Sequence, residues 1–514
     1  MGLPVSASDP DPLSATPDWT ASGEFLQTFF GVSVSTAGDV NGDGYSDVIV
    51  GAYQFSSNKG KVYVFRGSSG GLLGSASWTA TGATSDDRLG YSVSTAGDVN
   101  GDGFGDVVVG TPFVNGGLGK VYVYYGSAAG LPAGASWTVD GTATDRTGSS
   151  VAGAGDVNND GYSDLLVGHG GPTSTAGKSY VYLGGPGGLA STPVWTVSGE
   201  NPGDEFGSSV QTAGDVNGDG YSDVMIGAYA YFGITGKAYV YLGTATGLEP
   251  TPVWTASGPT GQGQTFYADT VSTAGDLDGD GFADVMTGSS NLRTVYIYQG
   301  SLAGPDPIAT WTLTSADGSF GSEVAAAGDV NGDGYADLLV GAPLNGSFAG
   351  RAHLFLGQSG GPATTPAWID DGVSNDRFGH SIAPAGDVND DGASDVIIGA
   401  FGALFGGKAY AYHGALATCL AQAQEVAVVS VSLDGNGKPV LHFQDSTPPA
   451  CVTGYNVYRA AARTGPWILI DSNVTDMDVG LADIQYVDPS GDLGDLWYYE
   501  IATWDGNCSV EGPY

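Results

Sequence analysis

The sequence predicts an all-β protein: a seven-bladed β-propeller of four-stranded blades, followed by a small β-sandwich. Three observations carry that prediction. An acidic loop, Asp-Val-Asn-Gly-Asp-Gly-Tyr-Ser-Asp at residues 39–47, recurs seven times, with starts 53 to 61 residues apart. Each repeat holds four short strand-like runs, and a Trp precedes every loop by about 20 residues. Radial four-stranded sheets around a channel accommodate such a repeat while leaving only short, protected edges. A linear stack would need atypical capping repeats at its ends, and the chain has none.

At 514 residues the chain is long enough for two or three domains, but repeats that share one core reduce that number. Glycine is abundant at 87 residues, yet 41% of the chain is apolar and 11% aromatic, so it is not a disordered glycine-rich polymer. Short strands joined by glycine turns fit better.

In chain order, residues 1–17 are rich in Pro, Ser and Asp and read as a flexible lead-in, with the propeller over 18–418. The first repeat shows the pattern: Val32-Ser33-Val34, the acidic loop, then the continuously apolar Val48-Ile49-Val50-Gly51-Ala52. Such a run suits a strand covered on both faces, whereas the alternating Lys61-Val62-Tyr63-Val64-Phe65 suits one with a wetter face. The repeat tryptophans fall at 19, 78, 137, 195, 254, 311 and 368, and no further Trp-Thr segment follows the Tyr-rich run Lys408–Tyr412. If the Trp strand is the outermost of the preceding blade, blade seven lacks a fourth strand and the segment around Trp19 would latch onto it. If the Trp strand opens its own blade, no latch is needed. Edge protection favours the latch.

The loops are spaced for a hard cation. Positions 1, 3, 5 and 9 turn side-chain oxygens inward, position 7 offers a backbone carbonyl, and the Gly at 6 permits the bend. The first copy supplies Asp39, Asn41, Asp43, Tyr45 and Asp47, and the second Asp98, Asn100, Asp102, Phe104 and Asp106. Asp156, Asn158, Asp160, Tyr162 and Asp164 follow, then Asp215, Asn217, Asp219, Tyr221 and Asp223. The fifth has Asp276, Asp278, Asp280, Phe282 and Asp284, with Asp278 where the others carry Asn. Asp329, Asn331, Asp333, Tyr335 and Asp337 form the sixth, and Asp387, Asn389, Asp391, Ala393 and Asp395 the seventh. About seven bound Ca2+ ions are expected. A lone Asp-Gly segment would read as a surface turn, but turns do not require acids at fixed offsets in every copy. The Glu at position 12 of a helix-flanked calcium loop is missing, and Asp at 9 is expected to replace it.

The formal net charge is −40, a surface that repels nucleic acid and anionic membrane. The ligand positions of the loops hold 22 of the 55 acids, and seven divalent ions would bring the charge to −26, so metal is expected to stabilise the fold. No apolar stretch reaches 18 residues and the first residues lack a signal-peptide pattern. Millimolar calcium outside cells, low Lys content and acidic loops favour a secreted or cell-surface chain, monomeric or part of a larger surface protein.

Phe30-Gly31 before the loop, Gly341-Ala342-Pro343 after it, and Asp-x-Asn-x-Asp-Gly-x-x-Asp between resemble FG-GAP repeats over about residues 18–414. These are the blades of the integrin α-subunit propeller and of many bacterial secreted proteins. The resemblance implies an outer Trp strand, a composite closing blade and a ligand face opposite the cation loops. Departures are Leu89-Gly90, Thr147-Gly148 and Phe266-Tyr267 for Phe-Gly, with Gly168-His169-Gly170 and Gly288-Ser289-Ser290 for Gly-Ala-Pro.

Residues 419–514 lack a cation loop and read as a separate β domain with strands near 426–433, 439–443, 454–459, 467–471, 485–488 and 497–504. Gly454–Arg459 and Trp497–Ile501 resemble strands of a fibronectin type III sandwich. Antiparallel neighbours would bring Cys451 and Cys508 together, as a disulfide in an oxidising compartment with Cys419 left over; otherwise all three are buried thiols.

No catalytic motif of the metalloprotease, nucleophile-elbow or phosphate-binding kind is present, so no catalytic residue is assigned and a non-enzyme is expected. His169, His353, His380, His413 and His442 are scattered and read as packing residues, with His169 a weak ligand-facing candidate. The loops after the apolar strands carry Tyr53, Phe55, Phe113, Tyr229, Tyr231, Phe232, Phe348, Phe401 and Phe405. Their rings suit protein or glycan contacts, or simply cap sheet ends. An adhesion or recognition module is the leading expectation. A secreted glycosidase or lyase is the alternative, against which an active site should break the sevenfold regularity.

Overall fold

The computed structural model describes residues 12–142, 146–171, 175–403 and 406–416, together with six strands beyond residue 427. Seven four-stranded antiparallel sheets form the propeller. In blade 1 the innermost strand Ser33–Gly38 pairs with Asp47–Ala52, which pairs with Lys61–Phe65, which pairs with the outer strand Trp78–Thr81. Blades 2 to 6 repeat this order with inner strands starting at Ser92, Ser150, Ser209, Tyr267 and Glu323. Blade 7 takes Ser381–Gly386, Asp395–Ala400 and Lys408–Tyr412 from the end of the ring and Trp19–Ser22 from its beginning, with Trp19 opposite Ala411.

The second strand of each blade is buried along its whole length because a neighbouring blade covers each of its faces. Side chains alternate across a strand. Val48 and Val50 accordingly pack with Val388 and Ile397 of blade 7, while Ile49 packs with Val93 and Val107 of blade 2. Each such side chain contributes about 1.5–3 kcal/mol of burial. In every inner strand a bulge precedes the acidic loop, as between Thr36 and Gly38 of blade 1. It bends the strand into the turn.

Tryptophan ties blade to blade at six of the seven interfaces. Trp78 donates its indole N–H to the Pro132 carbonyl in blade 2 at 2.9 Å and meets Tyr124 edge-on at 4.7 Å. Trp19, Trp137, Trp195 and Trp254 make the same pair of contacts to the blades that follow them. Trp368 donates to the Ser14 carbonyl, which corrects the flexible lead-in expected through residue 17. Leu13 is fully buried, bridges Gly414, and sits six residues before Trp19, as Leu72, Leu131, Leu189 and Leu248 sit before theirs. Residues 12–18 thus act as the outer loop of blade 7.

The fifth repeat is also corrected by one residue. Tyr267, not Phe266, occupies the buried site held by Phe30, Phe206, Phe320 and Phe378, and Ala268 takes the glycine position at φ 59°.

Beyond the propeller, Val428–Leu433, Pro439–Phe443 and Ile484–Val487 form one antiparallel sheet, and Ile468–Val474, Gly454–Ala460 and Tyr498–Trp504 another. A sandwich requires these sheets to face each other, and the side chains that would define that contact lie outside the described residues. So do Cys419, Cys451 and Cys508.

Candidate functional site

Each acidic loop joins the innermost strand of a blade to its fully buried second strand, so all seven lie at the same end of the propeller. The first Asp organises the turn. Asp39 Oδ1 accepts from the backbone N–H of Asn41, Gly42 and Asp43 at 3.2, 2.6 and 3.2 Å, and its Oδ2 from Gly44 at 2.8 Å. Asp43 Oδ1 accepts from Tyr45 N–H. The carboxylates of Asp39 and Asp43 are thus fixed by the backbone of their own turn.

The last Asp has a second task that sequence reasoning missed. Asp47 is fully buried; its Oδ2 accepts from Val40 N–H at 3.1 Å and its Oδ1 from Gly67 N–H at 2.9 Å. Asp106, Asp164, Asp223, Asp284, Asp337 and Asp395 repeat both bonds at 2.8–3.1 Å. The partner must be glycine: a Cβ on Gly67 would lie 2.4 Å from the Ser46 carbonyl. The sequence signal was a Gly recurring 16 to 20 residues after each ninth-position Asp.

Neighbouring loops are bonded in a closed circuit. The N–H before each ninth-position Asp donates to the carbonyl of the first Asp in the preceding loop, as Gly105 does to Asp39 at 2.7 Å, and Ser46 to Asp387 at 2.9 Å closes the ring.

Does this donor set fit a hard cation? Burial, with a smaller contribution from acids of the same loop, pushes the carboxyls of Asp47, Asp106, Asp164, Asp223 and Asp284 up to about 7, and Asp395 up to about 6, against the pull of the backbone N–H bonds. A dication reverses that cost. Asn41 Oδ1, Asn158 Oδ1 and Asp278 Oδ1, all at position 3, are buried acceptors with no hydrogen-bond partner. Such an acceptor costs about 1–3 kcal/mol unless something satisfies it. In the fifth loop, Asp276, Asp278 and Asp280 bring carboxylate oxygens within 4.8 Å of one another, a separation one oxygen-coordinated ion spans. Gln299 Nε2 donates to Asp278 at 2.7 Å and to Asp280 at 2.9 Å, holding both in place. The residues fit.

The other end of the propeller is built from the loops after the second and fourth strands. One backbone position there is left-handed in all seven repeats, and none of the seven residues is glycine. Phe29, Arg88, Arg146, Glu205, Phe266, Ser319 and Arg377 have φ between 52° and 61°. The carbonyl of each accepts the N–H three residues on, closing a turn such as Phe29–Val32.

A family model for the FG-GAP repeat matches residues 30–65, 89–124, 147–183, 206–242 and 320–355. Five of the seven blades match that repeat model. Among curated proteins, the chain is 39% identical to human integrin alpha-7 over 158 residues, covering 30% of this chain and 13% of that protein. It is 32% identical over 232 residues to integrin alpha-5 of Xenopus laevis, covering 43% and 22%. To mouse integrin alpha-IIb it is 32% identical over 209 residues, covering 37% and 19%. The chain thus spans about a fifth or less of these relatives. A solved structure described as "Structure of Dos1 propeller" aligns at TM-score 0.41 and 9% identity over 71% of this chain and 74% of that one, too distant to build on.

The FG-GAP residues have a packing explanation. The second-strand Gly51 lies so close to Gly90 of the next repeat that a Cβ on it would sit 2.2 Å from the Gly90 carbonyl. One departure is compensated within a blade: Thr147 stands at the Phe site, and its Oγ1 lies 3.0 Å from Nδ1 of His169, at the end of that blade's second strand. His169 is 1% exposed, which corrects its reading as a ligand-facing candidate. His353 is buried beside Phe320 with Nε2 2.9 Å from Asp317.

The seven blades are not uniform at the channel mouth. The first channel-facing position is Ser33, Ser92, Ser150, Ser209, Thr270 and Ser381 in six blades and Glu323 in the sixth. Burial, with the nearby Asp269 charge, pushes the Glu323 carboxyl up to about 8. This break in the sevenfold regularity lies in an inner strand otherwise similar to the rest.

Proposed function

We propose that this chain is an extracellular, calcium-stabilised propeller acting as an adhesion or recognition module for protein or glycan ligands. The observation that carries the reading is the contrast between the propeller's two ends. One repeats the same acidic loop seven times, and the other holds seven identical turns bearing different side chains. A constant end suits a structural cation, and a varied end suits recognition. The similarity to integrin alpha subunits supports it.

In each loop the side chains at positions 1, 3, 5 and 9 and the carbonyl at 7 would hold one Ca2+, from Asp39, Asn41, Asp43, Tyr45 and Asp47 in the first to Asp387, Asn389, Asp391, Ala393 and Asp395 in the seventh. The ion supplies charge neutralisation and loop rigidity. Residues 18–418 would form this module and 419–514 a fibronectin-like appendage. Among the described residues no helix is long and apolar enough to cross a membrane. Protein and glycan arrays probed with the calcium-loaded chain test the reading: ligand capture lost on chelation supports it, and silence on both arrays contradicts it.

A second reading, a carbohydrate-active enzyme, is favoured by Glu323 and Asp269 at the channel mouth, one carboxyl held protonated near another. Polysaccharide turnover that Glu323→Gln abolishes would establish it.

A further inference from the structure

We propose that the loop face opposite the acidic loops carries a docking arc for an acidic segment of a partner protein, centred on Arg88, Arg146 and Arg377. The proposal deepens the recognition reading and rests on it.

Rings and guanidinium groups alternate along the arc. Arg377 lies over Phe348 at 5.2 Å and over Phe401 at 5.5 Å. Phe401 meets Phe29 at 5.0 Å, Phe29 meets Tyr53 at 5.6 Å, and Tyr53 meets Tyr91 at 5.3 Å. Arg88 bridges Tyr53 and Phe113 at 5.7 and 4.1 Å, and Arg146 lies 5.5 Å from Phe113. The run crosses from blade 6 to blade 3.

Two independent features mark it. All three arginines occupy the left-handed position of the turn. An L-residue there costs about 1–2 kcal/mol more than glycine, and a chain with 87 glycines places none at that site. The side chains are thus retained against a backbone penalty. In addition, none of the three pairs with a carboxylate among the described residues; Lys59, Arg66, Lys178, Arg293 and Lys408 share that property, but they lie outside the arc, whereas Lys61, Lys120, Lys237 and Arg351 are paired. In a chain with 55 acids and 15 basic residues, the distinctive feature is that three unpaired guanidinium groups gather along one run of rings.

The chemistry selects the partner. Stacking on rings fixes each guanidinium plane and leaves its N–H edge for a carboxylate, which arginine binds in bidentate fashion. Guanidinium groups lie over Tyr53, Phe113, Phe348 and Phe401, so the charge carried by the arc favours an acidic peptide over a neutral sugar. At the corresponding turn of the fourth repeat, Glu205 repels an acidic segment and directs it onto the arc.

The test is fluorescence anisotropy of a labelled oligoglutamate peptide with the calcium-loaded full chain, with polygalacturonate and heparin as competitors. Saturable binding that weakens with salt is expected. R88A/R146A/R377A should bind at least about tenfold more weakly, and K120A, which removes a paired cation, should bind as wild type. Single R88Q, R146Q and R377Q variants, each with its melting temperature, separate lost contacts from lost folding. Equal affinity of the folded triple variant, or no binding by the wild type, overturns the proposal. Binding of the polysaccharides but not the peptide overturns the choice of partner. Array capture that the triple variant retains leaves the recognition reading standing and removes only the arc.

Discussion

The indole N–H of Trp368 donates to the carbonyl oxygen of Ser14 at 3.1 Å, joining the sixth blade to the start of the chain. Its ring lies edge-on to Tyr412 at 4.8 Å. Trp19, five residues beyond Ser14, makes the corresponding bond to Leu73 of blade 1. The N-terminal segment therefore closes the ring at two successive interfaces, and the whole seam depends on about ten residues.

Removing that segment should expose the third strand of blade 7 as an unpaired edge. Deletion of residues 1–22 is expected to lower the melting temperature sharply and to promote aggregation visible by light scattering. Trp368→Ala alone should cost about 3–5 kcal/mol, the range for truncating a buried aromatic. Chemical denaturation checks the second figure, and an unaffected deletion variant would show that the seam closes by other contacts.

Gly67→Ala probes the buried end of the first loop. The added Cβ would meet the Ser46 and Val388 carbonyls at 2.4 and 2.7 Å, both backbone atoms that cannot swing away. Destabilisation above about 2 kcal/mol is expected in urea unfolding, with weaker cation affinity because Asp47 loses its Gly67 partner. Gly44→Ala serves as the contrast, since no atom lies within 4 Å of its Cβ position, although its φ of 92° still strains alanine.

The metal-free chain should lose stability as pH rises. Asp47, Asp106, Asp164, Asp223 and Asp284 titrate near 7 when folded, above the ordinary carboxylate value of 3.8. The folded state then binds more protons than the unfolded state between about pH 4 and 7. Their contribution is complete below the lower value and is lost as pH passes the upper one. Melting in chelator should fall from pH 5 to pH 7.5, while the cation-loaded chain should not follow, and the stabilisation by calcium should grow across that interval. A chelated chain whose melting rises over this range would contradict the assignment.

The fifth loop should bind most tightly because Asp278 adds a fourth carboxylate. Asp278→Asn is expected to reduce the highest-affinity calorimetric step toward that of the other loops. Asp276→Asn with Asp280→Asn should remove one equivalent of metal altogether.

Much of this was legible in the residues. The offsets within Asp39–Asp47 foretold a tight acidic turn, and the unbroken apolar run Val48–Ala52 foretold a strand covered on both faces. What escaped had physical reasons. Backbone φ is not written in residue identity, so the left-handed positions of Arg88 and Phe29 could not be seen. Tyr267-Ala268 was misaligned because Phe266 imitates the motif one residue early. Leu13 looked like part of a polar tail, although its place six residues before a Trp matches Leu72. Gly67 recurs at a near-constant distance from Asp47 and its counterparts, but a single glycine 20 residues away does not reveal that its N–H meets the carboxylate.

The most direct test of the central claim, that the seven acidic loops each clasp a divalent ion that pins the ring, is elemental analysis of the equilibrated chain paired with its melting curve before and after chelation. About seven calcium ions per chain and a melting transition that falls when they are stripped are predicted. A chain that carries no stoichiometric metal and melts at the same temperature in chelator would contradict it.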